Sequence, residues 1–365
     1  MILPNPASEL KFSPMTIKKL INWSEKEFSH LPWRNNRTLY RTLVSEIMLQ
    51  QTTVATVKNH YERFLTVFPN LESLANSNDE ELTVAWKGLG YYRRARNLKK
   101  IAQAIVHEHA GNFPMDLESL QKIPGIGPYT ASAIVAIGMN KRALAVDANL
   151  ERVISRLFGL KVLKGVKLQK TINELFLNQK IFSDHKTPPR ALNEALMDLG
   201  RTYCQARKVS CELCFLKEEC VAYKSGKPLL YPKVPKTQIE KEDHELHLLR
   251  FYIFKDSKIL VYKKSENEWL SGQYEVPTYI LKTTDPKLKQ YPIFKGREHS
   301  PTAKFKTGIT KYKINNLILE INEKELAKLK FDRPLEWREV SHSRSNFSTA
   351  TIKGLKILGK NRDQE

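Results

Sequence analysis

Four cysteines, Cys204, Cys211, Cys214 and Cys220, are the only ones in the 365-residue chain and follow the spacing C-x6-C-x2-C-x5-C. Disulfides ordinarily staple distant segments and do not persist in a reducing compartment. Four thiols this close predict one metal centre, and the spacing is open to zinc or to an iron–sulfur cluster. A second feature is the turn "PGIGP" inside "LQKIPGIGPYTASAIVAIG", Leu120 to Gly138, with Tyr129 just past it. Gly125 and Gly127 permit positive φ, and the freed backbone N–H groups suit a phosphate. An ordinary αα-hairpin would use the same residues. The third feature is a pair of acids. Asp147 in "ALAVDANLERV" stands where an aspartate caps a helix. Glu46 reads either as a solvated helix charge or, lying among Val44, Ile47, Met48 and Leu49, as a carboxyl whose pKa is raised and which can act as a general acid.

The elements that position these groups come from periodicity and composition. Hydrophobic residues make up 41%, enough for packed cores, and the length favours two or three domains. No apolar run reaches the eighteen residues of a membrane span. The N-terminal stretch lacks a secretory pattern, so the expected compartment is the cytoplasm. Lys+Arg is 60 against Asp+Glu 39, a net +21 spread along the chain, which predicts a polyanionic partner. Through residue 226 the pattern is helical: Val44, Ile47, Val54, Val57, Tyr61 and Phe64 recur at helical spacing. Residues 227–245, proline-rich and then charged, read as an extended linker. Beyond it, "HLLRFYIFKDSKILVYKK" and "KINNLILEI" read as strands of an α+β domain over 246–358, with 359–365 a tail.

Taken together, "PGIGPYTA", the aspartate some twenty residues later and the cysteine loop 204–220 resemble the helix-hairpin-helix DNA glycosylase superfamily. The fold this implies is a two-lobed helical catalytic domain with its hairpin at 120–138. The cysteine loop is similar to the 4Fe-4S loop of the endonuclease III and adenine glycosylase branches, which implies one 4Fe-4S cluster on the four cysteines. Two markers separate the branches. The lyase branch carries a lysine after the hairpin turn, whose amine attacks the sugar C1′ and forms a Schiff base; Tyr129 has no amine. "SEIMLQQT" closely resembles the signature of adenine glycosylases of the MutY type, with Glu46 its acid. The resemblance implies that Glu46 protonates adenine and Asp147 stabilises the oxocarbenium-like sugar, with Tyr129 and Asn149 assisting. It places Trp33, Arg34 and Glu194 at the adenine pocket. It implies that Gln51, Thr52 and Tyr91 probe or wedge the duplex while Gly125 and Gly127 grip a phosphate. Arg93, Arg94 and Arg96 are expected on phosphates.

"ENEWLSGQYEVPTYI" resembles a stretch of the Nudix-like C-terminal domain of the same family, without the acidic box of pyrophosphate hydrolysis. There the domain senses 8-oxoguanine through a short F-S/T-H motif. "TGITKYKI" stands in its place and lacks the phenylalanine and histidine, leaving Thr307 or Thr310 to offer a hydroxyl. The expectation is a monomeric, monofunctional adenine glycosylase of a bacterial cytoplasm, acting on duplex DNA with adenine opposite 8-oxoguanine or guanine. The alternatives are an endonuclease III-like oxidised-pyrimidine glycosylase and lyase, and a DNA-binding scaffold without catalysis.

Overall fold

The computed structural model describes residues 13–178, 187–234, 243–296, 300–328, 331–340 and 346–359. Parts of the expected linker (235–242) and tail (360–365) lie outside the described residues. The chain packs as two compact units: the described residues of Met1–Ser77 with Arg94–Lys236, and Asn78–Arg93 with the described residues of Thr237–Glu365. Residues 78–93 thus fall outside the helical unit in which the sequence reading placed them. Helical periodicity reports which face is buried, not which unit buries it.

The first unit is helical. Its elements are α1 (Pro14–Phe28), α2 (Leu39–Leu49), α3 (Val54–Val67), α4 (Leu71–Ala75), then, past α5 (Asp79–Ala85) of the other unit, α6 (Arg93–Glu108), α7 (Leu117–Lys122), α8 (Pro128–Ala133), α9 (Ala148–Phe158), α10 (Val166–Leu177), α11 (Pro189–Thr202) and α12 (Val221–Lys224). Side-chain oxygens cap the starts: Ser13 on α1, Thr38 on α2, Thr53 on α3 and Asp147 on α9. One core joins α1 and α9–α11 through Leu20, Leu150, Ile154, Ile172, Leu196 and Leu199. Leu216 of the cysteine loop is buried in the same core and anchors that loop to it. Around a separate centre, α2 packs on α3, α8 and the π-turn Ile134–Gly138 that continues α8.

Two departures from simple helical periodicity matter. The run through "LQQTT" is broken: α2 ends at Leu49, and Gln51 takes φ +56 before Thr53 caps α3. In the hairpin, only Gly125 takes positive φ, +98, whereas Gly127 sits at φ −84 as the N-cap of α8. A Cβ on Gly125 would lie 2.3 Å from Asn97 Oδ1, a side-chain end that can shift, so it is the φ of +98 that favours glycine here. The segment 227–234 is also less extended than expected: Pro228–Leu230 forms a 3₁₀ turn and Lys233 bridges to Leu163.

The second unit is α+β. One sheet has the order β5-β1-β7-β6, from β1 (His244–Tyr252), β5 (Thr278–Thr283), β6 (Ala303–Ile309) and β7 (Tyr312–Glu320); β1 and β7 run parallel. The other joins β2 (Phe254–Lys255), β3 (Lys258–Lys263) and β4 (Tyr274–Glu275), with β8 (Glu336–Glu339) on β3. Tyr252, Val261, Val276, Phe305, Ile318 and Phe347 share a core with Leu355 of α14 (Thr349–Ile357); a short helix α13 (Glu323–Ala327) precedes β8. Within this unit Glu275 is fully buried between two cations, 2.6 Å from Arg250 and 2.7 Å from Lys264. Burial opposes its ionisation, but Lys264 and Arg250 outweigh burial and hold its pKa at about 2. The pairing therefore stabilises the unit fully above the unfolded carboxylate range and is lost as pH falls toward that value. Glu275→Ala leaves two buried cations without their shared partner. The expected cost is about 3–5 kcal/mol, read as a lower denaturation midpoint in urea at neutral pH.

Candidate active site

Glu46 projects from the buried face of α2 and is 5% exposed. Its Oε2 accepts a hydrogen bond from the Tyr129 hydroxyl at 2.5 Å. Tyr129 stands in the first turn of α8, so the hairpin sets the position of the phenol. Burial pushes the Glu46 carboxyl up to about 7. The Tyr129 hydrogen bond pulls it back, the charges of Asp147 and Glu194 push it further up, and Arg37 opposes them. Burial and the nearby Glu46 and Asp147 raise the Tyr129 phenol well above its ordinary value, so it stays a donor.

Asp147 both caps α9 and faces this pair. Its Oδ1 accepts from the backbone N–H of Asn149 (2.9 Å) and Leu150 (2.8 Å), and Oδ2 accepts from Asn149 Nδ2 (2.7 Å). Burial raises its pKa, while these hydrogen bonds and Arg152 favour the ionised form. Asn149 is held in turn: its Oδ1 accepts from Arg152 Nη2 at 2.7 Å, and Arg152 also binds the carbonyls of Cys204 and Gly200. A Cβ on Gly200 would meet Asn149 Cβ at 2.8 Å, so glycine lets α11 close on the start of α9. Asn193, fully buried, accepts from the Ala145 N–H and donates to the Ala143 carbonyl, fixing the segment that leads to Asp147.

Arg34 and Glu194 stand together, with Arg34 Nε 3.7 Å from Glu194 Oε1. Two residues absent from the sequence reading hold them. Asp198 accepts from Arg34 Nη2 at 2.7 Å, and Arg37 Nη2 donates to Glu194 Oε1 at 2.6 Å. Trp33 is buried edge-on against Tyr61, a packing position. The contacts on Arg34 and Glu194 span 164 and 157 residues, so no local pattern reveals them.

The turn Gln50–Thr53 leaves Gln51 exposed in the left-handed region, uncommon for a residue with a Cβ. Arg94 braces it. Its Nη1 binds the carbonyls of Ile47, Met48 and Gln50, and its Nη2 binds the Thr52 hydroxyl. Arg94 therefore serves the fold at the end of α2, not the phosphate contact expected of it. In the hairpin, Asn97 Nδ2 donates to the Gly125 carbonyl at 3.0 Å. In the second unit Tyr91 takes φ +45 and is 55% exposed. There too, Thr310 is exposed at φ +51 in the turn between β6 and β7, whereas the Thr307 hydroxyl accepts from Asn316.

The four cysteines line one cavity with Arg156, Leu157 and Leu199. As placed, no three His, Cys, Asp or Glu side chains among the described residues are grouped to hold a metal ion. Arg156 Nη1 donates to Cys204 Sγ, and burial raises the thiols of Cys211, Cys220 and Cys214, the last to about 11. The four sulfurs share one cavity lining without being drawn together as ligands; the donor set itself, four cysteines, is of the kind that binds a metal centre as thiolates.

The raised Glu46 pKa has a consequence for stability. The folded state binds its proton more tightly than the unfolded chain, so this group costs stability as pH rises from the ordinary carboxylate range through about 7. Glu46→Gln keeps an acceptor for Tyr129 and removes the charge. It is expected to stabilise the protein by up to about 3 kcal/mol at pH 8. Thermal unfolding should show a gain in midpoint there that shrinks toward pH 5.

The model of the HhH-GPD superfamily of base excision DNA repair proteins matches residues 44–177. The adenine DNA glycosylase of Buchnera aphidicola subsp. Acyrthosiphon pisum is 33% identical over 283 residues, covering 77% of this chain and 75% of the relative. The adenine DNA glycosylase of Buchnera aphidicola subsp. Schizaphis graminum is 30% identical over 307 residues, covering 83% and 86%. A solved thermostable thymine-DNA glycosylase aligns at a TM-score of 0.50 and 28% identity, covering 58% of this chain and 96% of its own. No helix among the described residues is long and apolar enough to cross a membrane. Likeness over three quarters of both chains, joined to the hairpin and its carboxylates, places this chain in the adenine DNA glycosylase family of base-excision-repair glycosylases that act on DNA.

Proposed function

We propose that the chain removes adenine opposite 8-oxoguanine or guanine as a monofunctional hydrolase, without cutting the strand. The carrying observation is the Glu46–Tyr129 pair: a buried carboxyl with a pKa of about 7, where a lyase would hold an amine. With the base extruded, Glu46 gives its proton to adenine N7. The C1′–N9 bond breaks, its electron pair leaves with the base, and the sugar takes oxocarbenium character. Asp147, whose ionised form three donors favour against burial, stabilises that cation. Water then adds to C1′ and releases a proton. Tyr129 donates to the carboxylate that Glu46 becomes, and Asn149 fixes the aspartate.

The charge of Glu194 reaches Glu46, Arg34 stands against Glu194, and their polar groups suit the edge of the base. Trp33 supports the pocket by packing. Gln51 with Thr52, and Tyr91, are the duplex wedges; positive φ at both Gln51 and Tyr91 supports that assignment, since such strain is retained at functional positions. Gly125 and Gly127 present the hairpin turn to a phosphate. Cys204, Cys211, Cys214 and Cys220 would hold a 4Fe-4S cluster, whose contribution is to brace the basic loop around Arg207 and Lys208 against DNA. The second unit is read as a Nudix-like domain that senses the base opposite, with Thr310 the better placed of the two threonines. The working form is a monomer.

The test is a duplex carrying labelled adenine opposite 8-oxoguanine, guanine or thymine, analysed before and after hot alkali. The expected break appears only after alkali and only opposite 8-oxoguanine or guanine. A break without alkali, or a borohydride-trapped adduct at oxidised pyrimidines, would replace this reading with the lyase one. The single-turnover rate should fall above about pH 7 as Glu46 loses its proton and on the acid side as Asp147 gains one. Glu46→Gln should slow excision about 10²- to 10⁴-fold.

A further inference from the structure

We propose that Arg37 is a positioning residue for base selection, orienting Glu194 so that its open oxygen accepts from an exocyclic amino group on the extruded base. The proposal rests on the adenine reading above and deepens it.

Arg37 Nη2 meets Glu194 Oε1 at 2.6 Å, with the two side chains only 15% and 14% exposed. A charge-assisted bond in that partly dry setting orients its partner more firmly than a surface pair does. Arg34 Nε lies 3.7 Å from the same oxygen and is buried without a hydrogen-bond partner. Both cations therefore address Oε1. Glu194 Oε2 accepts no hydrogen bond among the described residues. Arg34, Arg37 and Glu194 line a cavity of about 450 Å³, so there is room beside them for a ligand.

The pattern left for that ligand is one acceptor, Oε2, next to one donor, Nε. A carboxylate between two guanidiniums only accepts, and a guanidinium only donates. A 6-aminopurine edge answers both: its amino group donates and the adjacent ring nitrogen accepts. A 6-oxopurine edge is inverted, with a carbonyl facing the carboxylate and a ring N–H facing the guanidinium. Arg34 cannot choose the orientation alone, because Asp198 and Ser24 already hold its far end. Arg37 touches Glu194 and not Arg34, so it decides which carboxylate oxygen stays open. A site built to match one hydrogen-bond pattern rejects the inverted pattern strongly, because its polar groups are left unpaired.

The test is single-turnover excision of adenine and of hypoxanthine, each opposite guanine, by the full chain and by Arg37→Met, Arg37→Lys and Glu194→Gln. The expected result is a preference for adenine in the unaltered protein that falls about tenfold or more in Arg37→Met, with duplex affinity kept. Arg37→Lys, which retains a cation, should restore most of the preference. Glu194→Gln can present either a donor or an acceptor and should lose the preference as well, which keeps the test decisive should Arg37→Met fail to fold. Parallel loss of both activities in Arg37→Met, or an unchanged ratio in Glu194→Gln, would overturn the assignment. An unaltered protein that leaves adenine in place would instead overturn the adenine reading, and the proposal with it; that outcome is visible before any variant is made.

Discussion

A carboxyl withheld from water is the constraint on which the site depends. Glu46 would ionise freely on a solvated helix, and a general acid must not. The fold keeps it protonated by burying the whole inner face of α2, from Thr42 to Met48, and by offering one neutral partner, Tyr129. The cation that acts on it, Arg37, is not its hydrogen-bond partner: Arg37 is engaged by Glu194. Arg37, held by Glu194, lowers the Glu46 pKa only as the last of the contributions and does not cancel burial. The burial costs stability at neutral pH, a local conflict of the kind natural proteins retain at functional positions.

Asp147 shows the opposite solution to the same problem. Its burial also raises its pKa, but three donors of the α9 start pull toward the ionised form. Burial pushes both carboxyls up, and the difference between them is that Asp147 has three donors and Arg152 opposing that rise, where Glu46 has the Tyr129 hydroxyl and the more distant Arg37. For Asp147 the capping role and the chemical role are the same contacts. The choice between a helix cap and a site residue, posed by the sequence, is therefore not a choice. Gly200, Asn193 and Arg152 exist in this arrangement to hold the cap in place.

What could be read from the sequence was whatever local spacing encodes. The strands around "HLLRFYIF" and "KINNLILEI" fall at β1 and β7, since alternation and β-branching act over a few residues. The apolar neighbours of Glu46 gave its raised pKa, because they are also its neighbours along the helix. The brace of Arg94 on the turn after α2 was not legible, since its partners lie 42 to 47 residues away. Neither was the positive φ of Gln51: glutamine carries no turn signal, and tertiary hydrogen bonds impose the conformation. Gly127 misled in the other direction. Glycine permits positive φ, but a residue that starts a helix must be extended, and Gly127 is.

The arginines revise how the net charge of +21 should be understood. Spread along the sequence, that charge reads as a coat for DNA. In the folded first unit, Arg94, Arg152, Arg156 and Arg190 each bind backbone carbonyls, and Arg34 and Arg37 bind carboxylates. A planar fork of five donors can bridge several carbonyls that end in one place, as Arg94 does for Ile47, Met48 and Gln50. An ammonium cannot reproduce that geometry. These arginines are therefore committed to shaping the turn, the cap and the pocket. Those bound to neutral carbonyls keep their charge and still add to the general attraction of a polyanion, which needs charge without orientation, whereas a site needs orientation first.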